Sequence, residues 1–231
     1  MKAGQAQWYN LSMQVFYEII ISPKKAFERI REKPRWWQGL LIVIPLIILG
    51  DLVGIWGGYD FLLQISQERL SQFTPEQAEA AARWMTLPAM LGTTAINKLI
   101  VVPIVVLIQA TIFHLMVPLS GGEANFGRAF GIVIWSKMAI AVGAWVTGLL
   151  TVAMGQPFRT DLGLLVDLNS KLQGGLSQIE VFSIWSLVLI TEGMVRVMGC
   201  KRAASYMLVF GLWAVWVATS FGIGAFVGKT G

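Results

Sequence analysis

The chain has 231 residues, 55% of them hydrophobic and only 13% charged, with ten tryptophans and a mean hydropathy of +0.64. Water-soluble domains carry about 25% charged residues, so an ordinary aqueous domain is excluded and a bilayer protein is indicated. The net charge of +5 is not a nucleic-acid signal, because the basic residues gather beside one apolar run, as orientation signals do.

The single cysteine, Cys200, excludes an intramolecular disulfide and a cysteine-based metal cluster. The first residues do not read as a cleavable leader, since only Lys2 precedes a polar, aromatic stretch and the first apolar run starts near residue 37. Met13, Phe16, Tyr17, Ile20 and Ile21 recur at helical spacing and predict an amphipathic helix lying along the membrane interface. Ser22 as N-cap and Pro23 at the first helical position open a second short helix. It places Ala26, Phe27 and Ile30 on one side and charges on the other. Pro34 ends it, and Arg35-Trp36-Trp37 reads as an interfacial anchor. Residues 1–36 are thus expected to form a cytoplasmic amphipathic segment, and 37–231 a membrane domain. The segment either floats beside the first span or offers a lipid-sensing or partner-docking surface.

Five apolar runs are long enough to cross a bilayer, at about 37–58, 89–117, 127–154, 179–198 and 204–227, predicting an all-α bundle of five transmembrane helices. In the first, Gly50, Gly54 and Gly58 form a ladder at four-residue spacing that lets another helix approach closely. Thr74, Pro75 and Gln77 predict a capping box ahead of a short helix outside the hydrocarbon, in a loop with Asp60, Glu68, Arg69, Glu76, Glu79 and Arg83. The second run holds Asn97, Lys98, Gln109 and His114, and Pro103 is expected to kink it. A short turn at Gly121-Gly122 with Arg128 beyond it makes the second and third runs antiparallel neighbours. Ala139, Gly143 and Thr147 line a small-residue face in the third run. In the next loop, with Asp161, Asp167 and Lys171, the apolar piece Leu162 to Leu168 is able to dip into the interface. Ala214, Ala218 and Gly222 form another close-packing ladder in the fifth run.

Seven basic residues (Lys2, Lys24, Lys25, Arg29, Arg31, Lys33, Arg35) precede the first run, and Lys201-Arg202 occupy the fourth connection. The positive-inside rule then puts the N-terminus in the cytoplasm and the C-terminus outside, in the inner or plasma membrane of a prokaryotic source.

So arranged, the chain resembles the Yip (Ypt/Rab-interacting protein) family of five-span membrane proteins in its short, prokaryotic-type form. The likeness rests on Ser22-Pro23-Lys24-Lys25-Ala26-Phe27-Glu28-Arg29-Ile30, on Gly121-Gly122-Glu123-Ala124-Asn125-Phe126, on Trp135-Ser136-Lys137-Met138, and on Ile184-Trp185-Ser186-Leu187 followed by Lys201-Arg202-Ala203. It covers roughly residues 11–227. Trp135 and Met138 stand where tyrosine and proline are commoner in the family. The resemblance implies a membrane organiser or adaptor; a Rab-type GTPase enters as partner only if the source is eukaryotic.

Ionisable groups inside a bilayer are functional-site hypotheses by default. At about 1.5 Å per residue, Asp51 and Lys98 lie at depths within about 5 Å of each other, and Lys137 and Glu192 within about 6 Å. Two interhelical pairs are expected, Asp51–Lys98 and Lys137–Glu192, with Arg196 at the interface or joined to Glu192 at i+4 spacing. With Asn97 and Ser136 these groups form a polar site inside the membrane. It is either a pathway for ions, protons or small solutes, or a set of pairs fixing helix register. His114 is expected to hydrogen-bond between helices and Cys200 to be a free thiol or a palmitoylation site. No residue pattern calls for a metal or cofactor, and none has hydrolase spacing. The expected role is a non-enzymatic organiser acting through helix–helix, lipid and protein contacts, as a homo-oligomer or with other membrane proteins. A small permease or channel is the alternative.

Overall fold

Hydrocarbon offers no water to a backbone, so each crossing segment must satisfy its own N–H and C=O groups, as a helix does. The computed structural model describes residues 14–70, 73–166, 170 and 172–227, without the side chains of 68, 69 and 223–227. Met13, Asp167, Leu168, Lys171 and the side chains of Glu68 and Arg69 therefore lie outside the described residues. In chain order the helices are α1 (14–21), α2 (Pro23–Glu32), α3 (Trp36–Gly57), α4 (Tyr59–Leu70), α5 (Pro75–Ala82), α6 (Leu87–Met116), α7 (Phe126–Ser136), α8 (Met138–Met154), α9 (Gln173–Leu176), α10 (Val181–Met198) and α11 (Arg202–Val227). Among the described residues there is no strand, only an isolated bridge between Asp161 and Glu180.

Five segments have the length and hydropathy to cross a bilayer: Trp36–Gly57, Leu87–Ser120, Phe126–Met154, Val181–Met198 and Arg202–Gly222. They coincide with the five apolar runs, and the protein is an all-α membrane protein. The third differs from expectation in detail. It is not one helix: Lys137 stands in a turn between α7 and α8, with its backbone N–H shared among the carbonyls of the preceding turn. α6 runs unbroken through Pro103, and α3 through Pro45.

The chain divides into two compact units. One gathers Met1–Val43, Val105–Ile140 and Thr160–Gly231, and its centre is α10, against which α2, α7 and α11 all pack. Gly193 makes this possible: a Cβ there would come within 2.4 Å of Ile132 and 2.9 Å of Phe27. Ala26, Phe27 and Ile30 are fully buried, so α2 is packed onto the rest of its unit and does not float free. Its apolar face is covered by protein. Removing Phe27 and Ile30 from water contributes about 1.5–3 kcal/mol each. The Arg29 guanidinium donates two bonds to the Glu18 carboxylate, at 2.7 and 3.0 Å, tying α2 to α1. That carboxylate holds Arg29 above its ordinary pKa. Ser22 occupies the N-cap of α2 and Pro23 its first turn, but the serine side chain makes no capping bond.

The other unit gathers Ile44–Ile104 and Ala141–Arg159. Here α3 and α8 touch backbone to backbone. A Cβ on Gly148 would sit 2.5 Å from the Gly50 carbonyl oxygen, and one on Gly50 would sit 2.8 Å from the backbone of Ala144 and Trp145. Such closeness is what drives helix association where lipid competes equally for apolar surface. The capping box of α5 forms through Thr74 and Gln77, both bonds at 3.4 Å. Tyr59 bridges the starts of α4 and α6, its hydroxyl donating to the Met85 carbonyl and accepting from the Leu87 N–H.

Gly148→Leu should destabilise the protein by about 1–3 kcal/mol through overpacking. Gly211→Ala, where a Cβ meets nothing within 4 Å, should be neutral or stabilising. Unfolding by SDS titration in mixed micelles measures both; equal stability of the two variants would refute the α3–α8 contact.

Candidate intramembrane polar site and family

Asp51 projects from α3 and Lys98 from α6, and the ammonium lies 2.7 Å from the Asp51 Oδ2. The expected pair forms. At that distance the two groups form a close ion pair. The pair borders a cleft of about 330 Å³ that also meets Thr94, Thr147 and Thr151. Thr147 and Thr151 are already engaged, the first donating back to the Gly143 and Ala144 carbonyls, the second accepting from the Phe158 N–H. Asn97 does not join them; it is exposed on α6.

The second expected pair does not form. Glu192 takes two arginines instead, Arg196 at 3.2 Å one turn on in α10, and Arg202 at 3.0 Å from the start of α11. The reason is reach: the α10–α11 turn brings Arg202 to Glu192 directly, whereas Lys137 lies in another segment and has no carboxylate within ion-pair distance among the described residues. Lys137 occupies the C-cap of α7, the end of a helix where a cation is favoured. Ser136 beside it is fully buried, and its Oγ lacks a hydrogen-bond partner among the described residues. His114 is not the interhelical hydrogen-bonding group expected: its Nδ1 is unpartnered and its ring meets Phe126 edge-on at 5.8 Å.

The two short turns are clasped together. The Lys201 N–H donates to the Ser120 carbonyl and the Glu123 N–H to the Met198 carbonyl. Gly121 has φ +75°, and a Cβ on Gly122 would strike the Cys200 Sγ at 2.5 Å. Cys200 is buried beneath this turn, which removes it as a palmitoylation site. Arg128 enters α7 one turn after Asn125, whose side chain caps the helix by accepting the Arg128 N–H.

The small-residue ladders are only partly placed as spacing suggests. Gly50 and Gly54 face α8, but their counterparts are Ala144 and Gly148; Gly143 is buried one position away, and the ladder ends on Gly57 against Val152. Gly58 meets Thr151 at 3.0 Å. Ala214, Ala218 and Gly222 are exposed, and a Cβ on Gly222 would meet nothing within 4 Å, so among the described residues no helix packs on this ladder. Missed entirely from the sequence were the Glu192–Arg202 pair and the cap of α10 by Glu180, which accepts from the N–H groups of Phe182 and Ser183 and from the Thr160 hydroxyl. A carboxylate directly before an apolar run was the signal for that cap.

The Yip1 domain family model matches residues 17–224. The chain belongs to the Yip1 family. All four segments that carried the resemblance lie inside that match. The protein is also similar to membrane protein YknW of Bacillus subtilis (strain 168), 28% identical over 207 residues, covering 86% of each chain. No solved structure gives a significant match. Among the described residues of this Yip1-family protein no group of three or more His, Cys, Asp or Glu side chains could hold a metal ion.

Because each partner of Asp51–Lys98 leaves an uncompensated charge when the other is removed, Asp51→Asn alone should cost more than Asp51→Asn with Lys98→Gln. The difference should be roughly 1–3 kcal/mol, less than for a fully buried pair since the side chains are 25% and 38% exposed. A double-mutant cycle on thermal unfolding in detergent reads it; additive losses would show that the two groups do not interact.

Proposed function

We propose that this Yip1-family protein is a membrane organiser or adaptor, working through helix–helix, lipid and protein contacts and not through chemistry of its own. The observation that carries the reading is the neutralisation of Asp51 and Glu192 by cations of the same chain. A proton or ion pathway needs groups able to exchange partners, whereas pairs closed in this way fix helix register. The outward small-residue ladder of α11 supports contact with a second copy or another membrane protein. A Rab-type GTPase belongs among the partners only in a cell that has one. The basic N-terminal segment and Lys201-Arg202 favour a cytoplasmic N-terminus and an external C-terminus.

The cleft beside Asp51–Lys98 favours one second reading, a small permease, since it brings threonine hydroxyls and an ion pair to one recess. Reconstituted proteoliposomes separate the two. The organiser reading expects no proton, sodium or potassium flux above protein-free vesicles, and near-stoichiometric co-purification of a second copy or a membrane partner in mild detergent. Flux that Asp51→Asn abolishes would establish the permease.

A further inference from the structure

The connection between α8 and α10 turns its side chains the wrong way round for water. Among the described residues of 160–181, the exposed ones are Leu162, Leu164, Leu165, Leu172 and Val181, all of them apolar. Leu164, Leu165 and Val181 are exposed by 58%, 77% and 63%. The acids of the same stretch are engaged within it. Asp161 accepts the Gly163 N–H at 2.9 Å, and Glu180 accepts from the Phe182 and Ser183 N–H groups and the Thr160 hydroxyl.

The connection is also held at a fixed level. The Leu162 N–H donates to the Ile179 carbonyl, and the Asp161–Glu180 bridge ties the 3₁₀ turn Leu162–Leu165 to the start of α10. α9 packs on α11, where a Cβ on Gly175 would come within 2.3 Å of the Phe221 ring. The Trp216 indole donates to the Gln178 Oε1 at 3.0 Å.

Helix lengths turn these contacts into depths. At about 1.5 Å per residue, the 18 residues of α10 reach about 27 Å and the 26 residues of α11 about 39 Å. The two helices meet at the turn 199–201 and pack together, so α11 outruns α10 by about 12 Å on the far side. Trp216 lies about 21 Å, and Phe221 about 28 Å, along α11 from Arg202. A hydrocarbon layer is about 30 Å thick. The segment that holds Trp216 and Phe221 therefore lies at the edge of the hydrocarbon, beside α11 and not beyond its end. Irregular backbone survives there only when protein satisfies it, and the N–H groups of Leu162, Gly163 and Leu164 all have partners.

We propose that residues 160–180 form an interfacial platform seated in the leaflet opposite the Lys201-Arg202 turn, with Leu162, Leu164 and Leu165 inserted among its acyl chains. Lipid is the partner that an all-apolar patch at this depth fits. Val181 is itself the first residue of a spanning segment, so the patch starts where the bilayer does. The platform fills the depth that the short α10 leaves open. It rests on the chain spanning the bilayer and not on the organiser reading, so a failure of partner capture leaves it standing.

The test is site-directed spin labelling of the full chain in lipid nanodiscs. Nitroxide collisions are measured with oxygen, which concentrates in hydrocarbon, and with a nickel chelate, which stays in water. Cys200 is buried, and wild-type protein carried through the same labelling supplies the blank. Leu164→Cys and Leu165→Cys are compared with two references. Leu107→Cys lies 48% exposed in a spanning segment, and Arg83→Cys replaces a side chain 75% exposed outside the spans. The oxygen-to-nickel ratio at both leucines is expected within about twofold of that at Leu107 and at least about tenfold above that at Arg83, because polar solutes enter hydrocarbon poorly. Should either variant not fold, Leu162→Cys takes its place. A ratio like that at Arg83 puts the leucines in water and overturns the proposal. Suppression of both collision rates together reveals a protein cover, a second copy or another partner, and overturns it as well.

Discussion

A charge in hydrocarbon must be neutralised, hydrated or led to the surface, and this constraint shapes the molecule more than any other. Asp51 and Lys98 come from helices far apart in sequence and still meet within 2.7 Å. Glu192 joins α10 to α11 by holding Arg202 as well as its own helical neighbour Arg196. Lys137 has no acid beside it among the described residues, and there the spanning segment ceases to be one helix. The three cases solve one problem in different ways: an interhelical pair, a clamp across a turn, and a helix terminus.

The second organising element is close approach of backbones. Where apolar side chains gain nothing by leaving lipid, contact depends on how near two helices can come. Gly50 against Gly148 in one unit and Gly193 under Ile132 and Phe27 in the other are places where any side chain would collide. The turn at Gly121-Gly122 obeys the same rule outside the hydrocarbon, closing over Cys200.

The five spans were legible because runs of about 20 apolar residues interrupted by polar loops leave little choice of structure. The Thr74 capping box and the Asp51–Lys98 pair were legible too, one from local spacing, the other from depth along two helices. What sequence could not convey was rotation. Depth counting placed Lys137 and Glu192 at similar levels, but it carries no information about which way each helix faces. The same gap explains the ladders: spacing identified Gly50 and Gly54, yet the facing residues on α8 are Ala144 and Gly148, one position from the Gly143 face.

The burial of α2 bears on how the chain is made. Its apolar face is covered by α7 and α10, which leave the ribosome long after it does. At 5–20 residues per second the wait between Glu32 and Met198 is on the order of ten seconds or more. During that interval Phe27 and Ile30 lack the neighbours that bury them in the folded chain. The covering of α2 is thus a late event of synthesis: its apolar face gains its final neighbours only once α7 and α10 have been made.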